Sequence, residues 1–198
     1  MTGSLSPSFS QIIHSGLQEI IGNKDIYTAL QVTDKHLFKP DHPLESAKWS
    51  GFYQAMEQVL GMRGSHGAML RVGRASFLHL LKKYGADGGL IGTEFQMLPL
   101  QDRLSTGLVI LAGIINREGN QSISLEKLDD GWLWRMANCP DCHNRHKETE
   151  PVCYFWVGML QECLAWISGG KYYPVSEVEC RACGGSACVF HIQQKPLD

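Results

Sequence analysis

The chain has 198 residues, 43% of them hydrophobic and 19% charged, with a formal net charge of −2. That is enough apolar material for one sizeable core, and it leaves no cationic field to hold nucleic-acid phosphates or an anionic membrane. The opening MTGSLSPSFSQ lacks the basic flank and apolar run of an export signal, and no apolar stretch reaches the roughly 18 residues of a spanning helix, so a cytoplasmic protein is expected.

In chain order, Phe9, Ile12, Ile13, Leu17, Ile20 and Ile21 recur at helical spacing ahead of Gly22 and predict a first helix. TDKHLFKPDHPLESAKW, residues 33–49, has two prolines and no period, and is expected to be a connecting loop. A second helix carries Phe52, Ala55, Met56, Val59 and Leu60 on one face and stops at Gly61. Beyond MRGSHG, Leu70, Phe77, Leu78 and Leu81 mark a third. Gly73 lies inside it, at a cost of about 1 kcal/mol unless something packs closely on the backbone there.

LQDRLSTGLVILAGIINREG reads as a long buried helix, with a central strand LVILAGII as its rival. Trp132, Trp134 and Met136 alternate with Leu133, Arg135 and Ala137, the period of a half-buried strand. EPVCYFWVGMLQECLAWISGG predicts a helix opening at Glu150 and Pro151 and closing on Gly169 and Gly170. KYYPVSEVEC and ACVFHIQQ predict two strands joined through the glycines of RACGGS.

All seven cysteines lie beyond residue 138, at Cys139, Cys142, Cys153, Cys163, Cys180, Cys183 and Cys188. Without an export signal, metal-ligating thiolates are favoured over a disulfide framework. Two ligand sets are open. Glu177, Cys180 and Cys188 sit around one hairpin, with Cys153 on the helix before it, a carboxylate and three thiolates suited to tetrahedral zinc. Cys139 with Cys142 and Cys180 with Cys183 form instead the paired C-x-x-C of a zinc ribbon, which spacing alone ranks first. His143 and His146 stand beside Cys142, where a solvated loop is the plainer reading. Cys163, inside an apolar helix, is expected to be a small buried hydrophobe.

The segment PVCYFWVGMLQECLAWISGGKYYPVSEVECRACGGSACVFHI resembles the C-terminal signature of the 4-vinyl reductase-like, or hydrocarbon-binding, domain family. FYQAMEQVLGMRGSHGAMLRVGRASF is similar to that family's N-terminal segment, with its Gly73–Arg74 pair. The resemblance implies an α+β fold, an antiparallel sheet packed against helices as in the ligand-binding vesicle-transport (TRAPP-type) subunits, and a homodimer. From the sensor domains of phenol-responsive activators it implies a structural zinc on Cys153, Glu177, Cys180 and Cys188. The chain departs from the family at Cys183 and at CPDCHNRH, so Cys183 displacing Glu177, or a metal on Cys139 and Cys142, stays open. An N-terminal helix and loop over 1–45 and a ligand-binding domain over 46–198 are expected.

No dinucleotide loop, P-loop or zincin motif is present, and a metal closed by four protein ligands has no room for substrate. The expected function is therefore a zinc-stabilised binding or sensor domain for a small hydrophobic or aromatic molecule, dependent on a partner protein to pass on any signal. Trp132, Trp134, Phe155, Trp156 and Phe77 are the candidate pocket, with His79 and His66 to orient a polar head group. The alternatives are a reductase or accessory protein acting on a vinyl-bearing tetrapyrrole, and a zinc-ribbon interaction module.

Overall fold

In the computed structural model, which describes residues 3–22 and 42–197, the helical periods of the N-terminal half become helices. α1 spans Pro7–Ile20, opened by the Ser6 hydroxyl, which accepts from the Phe9 N–H at 3.1 Å, with proline in its first turn. The short strand before it, β1 (Ser4–Leu5), pairs antiparallel with β2 (Leu44–Glu45). Of the expected loop over 33–49, residues 33–41 lie outside the described residues, and residues 46–49 open the next helix.

That helix, α2 (Ser46–Leu60), is followed directly by α3 (Met62–Tyr84). Gly61, at φ 72°, is the single residue between them, a conformation glycine adopts without steric cost. MRGSHG, expected as a break, thus forms the first turns of α3. The short α4 (Thr93–Met97) leads to α5 (Leu100–Glu118), and the apolar run 108–115 is helical rather than a central strand. The chain then builds β3 (Ile123–Lys127), β4 (Gly131–Met136), α6 (Tyr154–Ser168), β5 (Val175–Glu179) and β6 (Cys188–Gln193).

The last four strands form one antiparallel sheet in the order β3-β4-β6-β5. Trp132 lies opposite Ile192, Trp134 opposite Phe190 and Met136 opposite Cys188, so alternate residues of β4 and β6 share the buried face. β3 carried no sequence expectation; ISLEK is short and only its first residue is buried. The fold is the expected mixture of helices and antiparallel sheet. No described helix is long and apolar enough to cross a membrane.

The helices meet the sheet through α6, whose most extensive partner is α3. The crossing is built from reciprocal glycines. A methyl group at Gly73 would overlap the Phe155 carbonyl, and one at Gly158 would overlap that of Leu70. Close backbone approach is therefore what offsets the propensity cost of glycine within α3. On the other side α1 packs on α3, and Phe9 stacks on Trp156 with ring centroids 6.1 Å apart, so the N-terminal helix shares this core.

Gly73→Ala tests that crossing. Helix propensity alone would raise stability by about 1 kcal/mol, whereas forcing a methyl into a backbone contact costs about 1–3 kcal/mol. Chemical denaturation should show a net loss; a stabilised variant would contradict the packing.

Candidate metal centre

The sheet's edge hairpin carries most of the site. Glu177 pairs with Phe190 and Glu179 with Val189, so a bulge falls at Val178 between them. A bulge re-aims the side chains on either side of it. Glu179 Oε1 accepts from the N–H groups of Ser186 (2.7 Å) and Ala187 (3.2 Å) and shapes the hairpin loop. Glu177 Oε2 instead accepts from the Cys153 N–H at 3.0 Å, tying β5 to the start of α6. A helical turn at Arg181–Cys183, closed by Gly184 at φ 96°, brings Cys188 back beside Cys180. Helix α6 starts at Tyr154, later than expected, because Cys153 sits outside the helical region at φ −87°, ψ 48°.

The third contributor is the segment 139–148, held by α2. A helical turn, Pro140–Cys142, buries Asp141, which accepts from Trp49 Nε1 at 2.7 Å through its carboxylate and from Ser50 Oγ at 3.3 Å through its carbonyl. Arg145, with only 2% of its side chain exposed, pairs with both oxygens of Glu57 at 3.0 and 3.1 Å and with Glu148 at 3.1 Å. Its guanidinium also lies 5.7 Å from the Tyr53 ring centre. Glu148 then bonds through its N–H to the Ala182 carbonyl of the hairpin at 3.0 Å.

Together these pieces gather Cys142, Cys153, Glu177, Cys180 and Cys188, whose donor atoms all lie within 4.8 Å of one another. Cys142 Sγ is 3.2 Å from Cys153, 3.4 Å from Cys180 and 3.4 Å from Cys188. Cys153 and Cys188 are 3.6 Å apart. A tetrahedron with metal–sulfur arms of roughly 2.3 Å has sulfur–sulfur edges of about 3.8 Å, so the thiols form a slightly contracted cage of that size. Cys139 adds a fifth sulfur, 3.4 Å from Cys153, and with Asp141 and Cys153 makes a second, overlapping group. Glu177 Oε1 is buried and accepts no hydrogen bond.

The electrostatics are those of a cage short of positive charge. Burial pushes the Cys153 thiol well up and Cys139 up to about 12. Thiol hydrogen bonds, first that of Cys139, hold Cys142 far below the ordinary thiol range. Burial, then the neighbouring Cys180, raises Glu177 to about 9, and burial raises Asp141 to about 8 against the opposing bond from Trp49. A dication supplies the charge that lets several thiolates coexist.

Cys153, Glu177, Cys180 and Cys188 are thus together, joined by Cys142 from the alternative set. Cys183 is exposed and outside the group, so the four cysteines of the paired C-x-x-C ribbon do not assemble. His143 and His146 also lie outside it. Cys163 is fully buried in α6, where burial pushes its thiol up.

The aromatic candidates fall elsewhere. Trp132, Trp134, Phe155, Trp156 and Phe77 are at most 1% exposed and belong to the core, and the indole N–H of Trp134 has no hydrogen-bond partner. His66 stacks on Tyr154 with centroids 4.2 Å apart and stands 3.7 Å from Glu57. His79 pairs at the surface with Glu19 at 3.1 Å. A cleft of about 330 Å³ beside the thiols is lined by Glu150, Pro151, Tyr154, Val157, Val175, Ser176 and Glu177, none of them in the expected pocket set. The Trp49–Asp141 and Glu57–Arg145 partnerships were not expected; their members lie some 90 residues apart, beyond any local pattern.

Comparison with known proteins converges on this region. The 4-vinyl reductase domain family matches residues 132–194, from β4 to β6. No curated protein matches the chain. Among solved structures, an H-NOX protein from S. oneidensis in the Fe(II)NO ligation state superimposes with a TM-score of 0.67 at 10% identity, covering 98% of this chain and 100% of that one. An unliganded Fe(II) H-NOX protein from K. algicida gives 0.64 at 7% identity, over 98% and 97% of the two chains. The phenol-responsive sensory domain of the transcription activator PoxR, with phenol, gives 0.57 at 16% identity, over 86% and 91%. At these identities the likeness is one of fold. Over residues 132–194, therefore, the chain carries a 4-vinyl reductase domain, the family that its C-terminal motifs resemble.

Proposed function

We propose that this protein is a small-molecule sensor domain whose C-terminal half is fastened by a zinc ion on Cys142, Cys153, Cys180 and Cys188. The observation that carries the reading is the convergence of four sulfurs from three separate segments at 3.2–3.6 Å. Buried thiols at tetrahedral spacing suit a d¹⁰ ion, and four protein ligands leave no open position for a substrate. The metal is then a structural fastener, and its binding free energy is folding free energy. Cys142 takes the place that the family resemblance gives to Glu177.

The family match over residues 132–194 and the fold shared with the PoxR sensory domain support a small aromatic or hydrophobic ligand. We place it against Trp134 on β4, where a buried indole N–H without a partner is a donor waiting for a hydroxyl, since an unmet buried donor costs about 1–3 kcal/mol. Trp132, Phe155, Trp156 and Phe77 supply apolar walls once the core opens around a ligand. The domain works in the cytoplasm as a homodimer and passes its signal to a partner protein.

Native mass spectrometry should find one zinc per chain. Cys142→Ser and Cys153→Ser should lose it, and Cys183→Ser should keep it; the reverse pattern would contradict the ligand set. Phenol should raise the melting temperature, a ligand at a hundred times its Kd adding about 2.7 kcal/mol. Trp134→Phe, which keeps an aromatic ring and removes the donor, should abolish that shift. An unchanged shift would place the ligand elsewhere.

A further inference from the structure

The cleft beside the thiols has a composition of its own. Its walls are apolar, from Pro151, Tyr154 and Val157 at the start of α6 and Val175 on β5, and its polar groups are Ser176, Glu150 and Glu177. No lysine, arginine or histidine lines it. The charges acting on the Tyr154 hydroxyl are those of Glu150 and Glu177, both negative. The nearest cationic groups are engaged elsewhere: Arg145 is committed to Glu57 and Glu148, and His66 lies stacked on the Tyr154 ring.

Glu177 is the pivot. One carboxylate oxygen is used by the Cys153 N–H, and the other is buried without a partner. If the four thiols complete the metal, that oxygen has no bond within the protein. Four thiolates on a dication carry a net charge of −2, which adds to the negative field of the two carboxylates. A volume of about 330 Å³ falls at the small end of ligand pockets, room for one ring and a short arm.

We propose that this cleft binds a small organic amine, its ammonium group held between Glu177 and Glu150 and its apolar body against Tyr154, Val157 and Val175. The ammonium supplies charge-assisted donors to the free oxygen of Glu177, and the Tyr154 ring adds a face that attracts a cation. The occupant differs in chemistry and place from the neutral aromatic assigned to Trp134. It touches the first residues of α6 and the bulged strand β5, so it bears directly on the elements that the metal joins. The inference rests on Cys142, and not Glu177, completing the metal.

The test is titration calorimetry of the zinc-loaded protein with 2-phenylethylamine and with its neutral isostere 2-phenylethanol. The amine should bind at least about tenfold more tightly. Glu150→Gln, at an exposed residue outside the metal group, should weaken the amine several-fold and leave the alcohol unchanged. Glu177→Gln should weaken the amine by about tenfold or more while zinc content stays at one per chain. Equal binding of amine and alcohol, or no saturable binding of the amine, overturns the proposal. Loss of zinc from Glu177→Gln would overturn the four-thiol ligand set and with it this role for Glu177. Retained zinc with unchanged amine affinity would overturn the cleft assignment alone.

Discussion

Four sulfurs drawn from a loop, a helix start and the two strands of a hairpin must lie within one small cage, and the C-terminal half is arranged to satisfy that demand. Cys142 comes from the segment after β4, Cys153 from the residue that opens α6, and Cys180 and Cys188 from the two sides of the β5–β6 turn. Unmetallated, such a cage holds protons at the expense of burial. Structural zinc sites carry apparent binding free energies of about 10–16 kcal/mol, as large as the whole stability of an ordinary domain, about 5–15 kcal/mol. One ion thereby decides whether these segments hold together.

Second to the cage come the contacts that aim it. Asp141, bonded by Trp49, and Arg145, bonded by Glu57, pin the Cys142 segment to α2. A buried ion pair of this kind adds little net stability over apolar packing, yet removing one partner costs about 3–5 kcal/mol because the other charge is left stranded. Its value here is positional. On the opposite side, the Gly73 and Gly158 contacts bring α3 and α6 to backbone distance, which fixes where Cys153 stands relative to the N-terminal helices. Changes in the helical half thus reach the metal through rigid elements, a sound arrangement for a domain that reports occupancy.

The legible parts of this structure are those written in local pattern. The amphipathic period gave α1, α2, α3 and α5, and strict alternation gave β4 with Trp132, Trp134 and Met136 on the buried face. Cys153, Glu177, Cys180 and Cys188 were placed by family resemblance, since the spacing of the thiols alone ranked the ribbon first. Spacing could not show that Cys183 turns to solvent while Cys142 turns inward, because that depends on a three-residue helical turn and a left-handed glycine. The aromatic residues mark the core by composition, and nothing in their order distinguishes a pocket wall from packing. The cleft by Glu177 was invisible for a related reason: its lining comes from a helix start and a bulged strand that meet only in the fold.

The central claim is that sulfur alone completes the metal's coordination. X-ray absorption at the zinc edge of the purified protein reads the ligand atoms directly. Four sulfurs at roughly 2.3 Å are what the geometry of Cys142, Cys153, Cys180 and Cys188 predicts. Three sulfurs with one oxygen near roughly 2.0–2.2 Å would return Glu177 to the metal and contradict the account.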